Sequence, residues 1–139
     1  MTRPTLSLFA GLVVVAALGL AGCGSSATKS AGPTPMPMTV SVSEASALHD
    51  AGAFVLDVRE PSEFAAGHIA GATLIPLGEL ATRTSEVPHD KTVVVVCHSG
   101  NRSAQGRDIL RQAGFTNVTS MAGGMTDWSA AGLPVTTGT

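Results

Sequence analysis

The sequence predicts a small α/β domain with a mostly parallel sheet, and three observations support this fold class. Apolar, β-branched runs such as Val93–Val96 are typical of strands that are covered on both faces. Helical stretches alternate with these runs, and glycine or proline marks the turns between them. The chain has 139 residues, which is room for one domain.

The predicted domain begins with a short strand at residues 39–42 and a helix at residues 43–51. Ser43 is the expected N-cap, and Ala51-Gly52 ends the helix. The apolar run Phe54–Val58 predicts the second strand. Pro61 suits the first turn of a short helix that ends at Ala66.

A third strand is predicted at residues 72–75, and another helix begins at Pro76. The fourth strand is Val93–Val96, and residues 103–113 form the next helix. Residues spaced three or four apart give this helix its apolar face. They are Gly106, Leu110 and Ala113, with Ile109 beside them, and Gly114 supplies the stop.

The last elements are a fifth strand at residues 114–121 and a final helix that Gly123-Gly124 opens. This helix carries Trp128. The domain contains only three Phe and one Trp, so we expect Trp128 to lie in the core.

Cys97 stands where the fourth strand ends and a tight loop leads into a helix. A thiol at a helix N-terminus is close to unpaired amide donors and to the positive end of the helix dipole, and both favour the thiolate. A buried structural cysteine is the alternative. Polar residues follow Cys97, however, and they include Gly100 and Arg102, which favours a nucleophile in a loop.

The segment Cys97-x-x-Gly100-x-Arg102-Ser103 resembles the active-site loop of rhodanese-like sulfurtransferases, whose cysteine accepts a sulfane sulfur and becomes a persulfide. Other motifs resemble the same family in order and spacing from Thr39 to Pro134. They are Leu56-Asp57-Val58-Arg59-Glu60-Pro61-x-Glu63-Phe64, Gly67-His68-Ile69-x-Gly71-Ala72, Ile75-Pro76, Gly123-Gly124-x-x-x-Trp128 and Gly132-x-Pro134. The resemblance implies a five-stranded sheet flanked by helices.

The resemblance also implies that the loop after Cys97 binds the transferred sulfur. The loop residues are His98, Ser99, Gly100, Asn101, Arg102 and Ser103. We expect the amide of His98 to matter more than its imidazole. Arg102 either attracts an anionic donor or braces the loop against a carboxylate such as Asp57.

Asp57 and Arg59 lie near the carboxyl end of the second strand, at the same sheet edge as Cys97. We therefore expect Asp57 to lie behind the loop, and the alternative is a turn-capping carboxylate or a salt bridge to a loop arginine. The resemblance implies that Arg59 and Glu63 mostly hold the architecture together. His68 belongs to a motif that the family uses for packing, so we expect a structural histidine.

Charge and composition exclude other classes of function. Residues 39–139 carry six Lys and Arg against ten Asp and Glu, a net charge of −4, which does not suit nucleic-acid binding. The four histidines show no metal-ligand spacing, so we expect neither a metal nor a cofactor. The expected partners are a small-molecule sulfur donor and a thiol or cyanide acceptor, and the domain is expected to act as a monomer.

The N-terminus has the parts of a secretory signal. Arg3 precedes an apolar run at residues 6–20, which is shorter than the ~20 residues that span a membrane. The sequence Leu20-Ala21-Gly22-Cys23 resembles a bacterial lipobox. We therefore predict a signal peptide at 1–22, a lipidated Cys23 with a flexible tether at 23–38, and the domain at 39–139. An uncleaved signal anchor is the alternative.

In the lipoprotein interpretation, the domain is exported, anchored to the cell membrane through Cys23 and held outside the cytoplasm. Cys97 is then the single free thiol. A lone thiol in an exported protein is unusual, because oxidising compartments favour paired cysteines. This favours a reactive role for Cys97 over a structural one.

Three other functions use similar features. Cysteine-loop phosphatases and arsenate reductases also end their active-site loop in arginine. Their loop is longer, however, with five residues between cysteine and arginine, whereas four separate Cys97 from Arg102. A non-catalytic docking module could use the same cleft. A redox sensor is disfavoured because no resolving cysteine accompanies Cys97.

Overall fold

The computed structural model describes residues 35–139, so the predicted signal peptide, Cys23 and most of the tether lie outside the described residues. The strands are β1 Thr39–Val40, β2 Phe54–Asp57, β3 Thr73–Leu74, β4 Val93–Val96 and β5 Val118–Met121. The helices are α1 Val42–Asp50, α2 Pro61–Ala66, α3 Leu77–Leu80, α4 Asn101–Gln112 and α5 Gly124–Ala130, with a 3₁₀ turn at Thr84–Glu86. In residues 35–139 no helix is both long and apolar enough to cross a membrane.

The five strands form one parallel sheet in the order β1-β5-β4-β2-β3. This confirms the predicted fold class. The register places Asp57 of β2 opposite Val96 of β4. The ends of β2 and β4 therefore lie side by side, and the loops that follow them emerge at one edge of the sheet.

Strand β4 is central and covered on both sides, which explains its continuous apolar run. Val93 and Val95 pack in one cluster with residues of α3 and α4. Val94 and Val96 pack in a second cluster with residues of α1 and α5, including Trp128. Trp128 is buried, as predicted, and its indole N–H donates to the carbonyl of Pro134 at 2.9 Å.

The start of α1 differs from the prediction, because Ser41 and not Ser43 is the N-cap. The Ser41 hydroxyl accepts from the amide of Glu44 at 3.3 Å, and the Glu44 carboxylate accepts from the amide of Ser41 at 2.8 Å. This reciprocal pair is a capping box. It ends the strand at Val40, whereas the prediction carried the strand to residue 42.

Helix α4 begins at Asn101, two residues before the predicted start. Gly100 is the N-cap and has a φ of 101°, so the turn into the helix is completed inside the loop. At the other end Ala113 is exposed, and the prediction that it belongs to the apolar face was wrong. Phe115 is buried there instead, and its amide donates to the carbonyl of Leu110 at 3.0 Å.

Three further predicted strands are also shorter in the structure. β2 ends at Asp57, β3 covers only Thr73–Leu74, and β5 begins at Val118 because Gly114, with a φ of 95°, turns the chain first. His68 is buried, and its Nδ1 lies 2.9 Å from the carbonyl oxygen of Phe64. This confirms the packing role predicted for His68.

Candidate active site

Cys97 directly follows the central strand, at the bottom of a loop that leads into α4. The residue is only 1% exposed. The loop can turn this tightly because Gly100 adopts a positive φ and lies against the backbone of the Gly123 turn, where an added Cβ would be 3.2 Å from the Gly123 nitrogen. A side chain at Gly100 would therefore be strained both by its backbone conformation and by its neighbour.

The thiol is surrounded by hydrogen-bond donors. The amide of Gly100 donates to Sγ of Cys97 at 3.0 Å. Burial is the largest influence on the pKa of Cys97 and raises it, but hydrogen bonds from the Ser103 hydroxyl and from the amides of Ser103, Gly100 and Ser99 outweigh burial. The pKa of the Cys97 thiol therefore lies below its ordinary value.

The Ser103 hydroxyl has a choice of acceptors. It donates to the carbonyl of Gly100 at 2.9 Å and lies 3.5 Å from the carbonyl of Met121. It has a single proton, so stabilising the Cys97 thiolate requires that the hydroxyl rotate away from Gly100. Its burial keeps water from competing for that proton.

Helix α5 holds the carbonyl side of the loop. The amide of Met125 donates to the carbonyl of Cys97 at 2.8 Å, and the amide of Thr126 donates to that of His98 at 3.0 Å. The hydroxyl of Thr126 donates to the same His98 oxygen at 2.9 Å. Gly124, with a φ of 56°, is needed because a Cβ there would overlap these two loop carbonyls. With its carbonyls fixed, the loop points its amides toward the sulfur.

Arg102 forms a forked ion pair with Glu63 of α2. Nη1 and Nη2 of Arg102 each lie 2.8 Å from one oxygen of the Glu63 carboxylate. The hydrogen bonds from Arg102 lower the pKa of Glu63 to about 2, and those same contacts raise the pKa of Arg102. Of the two roles considered for Arg102, the structure has the brace against a carboxylate, and that carboxylate is Glu63 and not Asp57. The sequence offered no local cue, because 39 positions separate the partners.

Asp57 pairs with Arg59 behind the loop. Nη2 of Arg59 lies 2.6 Å from the Asp57 carboxylate, and the two side chains are only 4% and 1% exposed. Arg59 also donates to the carbonyls of Glu63 and Gly67, at 3.3 and 2.8 Å. It therefore ties the end of β2 to the last turn of α2, which is the helix that carries the partner of Arg102.

A groove of about 590 Å³ opens beside the loop. Its lining residues are Arg59, Glu63, Ala66, Gly67, His98, Met125, Thr126, Ser129 and Val135. Thr126 and Ser129 of α5 were not among the predicted site residues. The one available cue was their position just after Gly123-Gly124, at the start of a helix.

The predicted loop residues divide into three groups. Gly100 and Ser103 contact the sulfur or the loop backbone, and Arg102 pairs with Glu63. The side chains of His98, Ser99 and Asn101 are exposed to solvent. Within residues 35–139, no group of three or more His, Cys, Asp or Glu residues is arranged to hold a metal ion.

Comparison with known proteins agrees with this fold. The rhodanese-like domain family matches residues 41–131. A sulfurtransferase of Allochromatium vinosum is 40% identical over 81 residues, which are 58% of this chain and 76% of that protein. The thiosulfate sulfurtransferase GlpE of Pseudomonas entomophila is 40% identical over 85 residues, 61% of this chain and 78% of that protein.

Among solved structures, a rhodanese-related protein from Thermoplasma volcanium is similar, with a TM-score of 0.67 and 35% identity. The similarity covers 72% of this chain and 98% of that one. The family match spans more than half of the sequence and includes the Cys97 loop. The chain belongs to the rhodanese-like domain family, and its relatives include named sulfurtransferases.

Proposed function

We propose that the protein is a sulfurtransferase that moves a sulfane sulfur from a donor such as thiosulfate to a thiophilic acceptor, through a persulfide on Cys97. One observation carries the proposal: the Gly100 amide lies 3.0 Å from Sγ of Cys97, in a loop that opens a helix of 12 residues. Amide donors in this arrangement stabilise a sulfur anion without needing a cation.

The first half of the reaction loads the sulfur. The Cys97 thiolate attacks the outer sulfur of thiosulfate, an S–S bond forms to Cys97, and the S–S bond of the donor breaks. The electron pair of that bond leaves with sulfite. The products are a Cys97 persulfide anion and sulfite, so the total charge is unchanged.

The second half of the reaction transfers the outer sulfur of the persulfide to the acceptor. Cyanide or a thiolate attacks the outer sulfur of the persulfide, and the Cys97 thiolate is the leaving group. The products are thiocyanate or a new persulfide. Both half-reactions place negative charge on sulfur at Cys97, which is where the amides of Ser99, Gly100 and Ser103 act.

The rival phosphatase function is disfavoured by loop length. Four residues separate Cys97 from Arg102, and a loop this short suits a single sulfur atom better than a tetrahedral oxyanion. Arg102 is also committed to Glu63, whereas a phosphatase would need its guanidinium to face the phosphate.

Product analysis separates the candidate functions. The purified protein is incubated with thiosulfate and cyanide, and in parallel with an aryl phosphate. We expect thiocyanate from the wild type, none above background from Cys97→Ser, and negligible phosphate release. Phosphate release without thiocyanate would overturn the proposal, and neither activity in a folded protein would favour the docking module.

We also propose that the protein is exported and anchored through a lipid on Cys23. The proposal rests on the charged start, the apolar run and Leu20-Ala21-Gly22-Cys23. In cells that process lipoproteins, Cys23→Ala should leave an unprocessed precursor or release the domain from the membrane fraction. If neither the mass nor the membrane fraction changes, an uncleaved anchor replaces the lipobox interpretation.

A further inference from the structure

The side chains around the Cys97 loop carry more negative than positive charge. Two arginines face three carboxylates there. The carboxylates are Asp57, Glu60 and Glu63, and the arginines are Arg59 and Arg102. The Cys97 thiolate adds another negative charge when it is ready to react. Residues 39–139 carry a net charge of −4, so the rest of the domain does not reverse this sign.

Arg102 is the residue that would be expected to attract an anionic donor, but Glu63 occupies it. Both terminal nitrogens donate to the Glu63 carboxylate at 2.8 Å, so the carboxylate occupies the end of the guanidinium and neutralises its charge. The pair is not deeply buried, because its side chains are 33% and 31% exposed. Its charges therefore act on a molecule that enters the cleft.

Arg59 cannot take over this role. Its Nε and Nη2 donate to Asp57, at 2.9 and 2.6 Å, and its remaining terminal nitrogen donates to the carbonyl of Glu63 at 3.3 Å. Arg59 lines the groove, but it presents a neutralised pair. His98 is the other titratable lining residue besides Glu63, and its Nε2 lies 3.4 Å from the Thr126 hydroxyl.

The consequence depends on the charge of the donor. Thiosulfate is a dianion, so it is repelled twice as strongly as a monoanion by any net negative charge at the same distance. The uncharged amides of the loop should bind a dianionic and a monoanionic donor about equally, because they contact the outer sulfur that both donors have. Discrimination between such donors must therefore come from charged side chains, and Glu63 is the one that cancels the loop cation.

We propose that Glu63 is a specificity-determining residue that neutralises Arg102 and makes the protein favour sulfane donors of low charge over the thiosulfate dianion. The inference rests on the proposed sulfurtransferase function. Glu63 acts through Arg102 and through its own charge, and it takes no part in bond making.

Two probes of the same chemistry test the inference. Thiosulfate carries two negative charges and loses sulfite, whereas methanethiosulfonate carries one and loses methanesulfinate. Both give the same Cys97 persulfide. The measured quantity is the ratio of kcat/KM for thiosulfate to kcat/KM for methanethiosulfonate, with cyanide as the acceptor.

The first measurement needs no variant. Ionic strength is raised from about 0.01 M to about 0.3 M, which shortens the screening length from ~30 Å to less than ~8 Å. If the cleft repels anions, screening should raise kcat/KM for thiosulfate and increase the ratio. A ratio that falls with added salt would mean that the cleft attracts dianions, and this would overturn the inference.

The second measurement changes Glu63. Glu63→Gln retains an oxygen for Arg102 and removes the charge, so the ratio should rise roughly tenfold at low salt and less at high salt. Glu86→Gln is the matched control, because it removes the same charge from the exposed Arg83–Glu86 pair outside the groove. In the control the ratio should stay within about twofold of wild type.

In the double variant Glu63→Gln/Arg102→Gln the ratio should return to about its wild-type value. The guanidinium that Glu63→Gln leaves without a neutralising carboxylate is then absent. An unchanged ratio in a folded Glu63→Gln protein would overturn the inference while leaving the sulfurtransferase function intact. Failure of the wild type to transfer sulfur from either probe would instead overturn the proposed function itself.

Discussion

Two arginine–carboxylate pairs support the Cys97 loop, and they differ mainly in burial. Asp57 and Arg59 are 1% and 4% exposed, whereas Glu63 and Arg102 are 31% and 33% exposed. The buried pair also binds the backbone of α2, so it fixes where that helix lies. The half-exposed pair joins the same helix to the start of α4.

Because of this difference in burial, the two pairs contribute to different properties of the protein. A buried pair is costly to break because one partner is left charged and out of water. A half-exposed pair contributes little to stability because water competes for both partners. We therefore attribute architecture to Asp57 and Arg59, and the charge of the cleft to Glu63 and Arg102.

The largest expected effect comes from breaking the buried pair. Asp57→Asn keeps the shape of the side chain but leaves Arg59 unpaired, and it should lower the free energy of unfolding by about 3–5 kcal/mol. Urea unfolding followed by fluorescence of the buried Trp128 measures the change. Glu86→Gln, in an exposed pair, should leave the free energy of unfolding nearly unchanged. Equal losses in the two variants would contradict the comparison.

A smaller effect is expected from the half-exposed pair. Glu63→Gln should lower the free energy of unfolding by about 1 kcal/mol or less, because solvent screens the pair. Folding depresses the pKa of Glu63 from its usual value of 4.5 to about 2, so the ionised form stabilises the fold.

The pH dependence of that effect has a definite sign. The contribution of Glu63 is fully present above pH 4.5 and is lost as the pH falls toward about 2. The difference in unfolding free energy between wild type and Glu63→Gln should therefore be constant from neutral pH to pH 4.5 and should shrink below it. A difference that grows on acidification would contradict this assignment.

A third change breaks neither pair and acts on the reactivity of Cys97. Ser103→Ala removes one of the donors that stabilise the thiolate, so it should raise the pKa of Cys97. Alkylation rate against pH measures the shift. Ser99→Ala is the control, because Ser99 acts through its backbone amide, which the variant keeps. Equal profiles for both variants would remove the role assigned to the Ser103 hydroxyl.

Local patterns in the sequence were enough to predict much of the fold and the place of Cys97 in the loop after the central strand. The run Val93–Val96 and the glycine after it predicted the central strand and the loop, because strand burial and positive φ leave marks in neighbouring residues. The N-cap of α1 was misplaced because Ser41 and Ser43 are both good caps, and only the reciprocal contact with Glu44 decides between them.

The partner of Arg102 could not be predicted in this way. Asp57 and Glu63 are both carboxylates near the loop, and the choice depends on how α2 packs against α4. Arg107 is similar: it lies in α4, is only 8% exposed, and donates to the carbonyl of Met38 at 2.9 Å. Such contacts join distant parts of the chain, so no local pattern marks them.

The most direct test of the account is the intact mass of the protein after incubation with thiosulfate and removal of excess donor. We expect an added mass of one sulfur atom on the wild type, located at Cys97, which disappears when cyanide is added. Cys97→Ser should show no added sulfur. A folded wild-type protein that gains no sulfur from thiosulfate or methanethiosulfonate, or one that gains it equally in Cys97→Ser, would contradict the central claim.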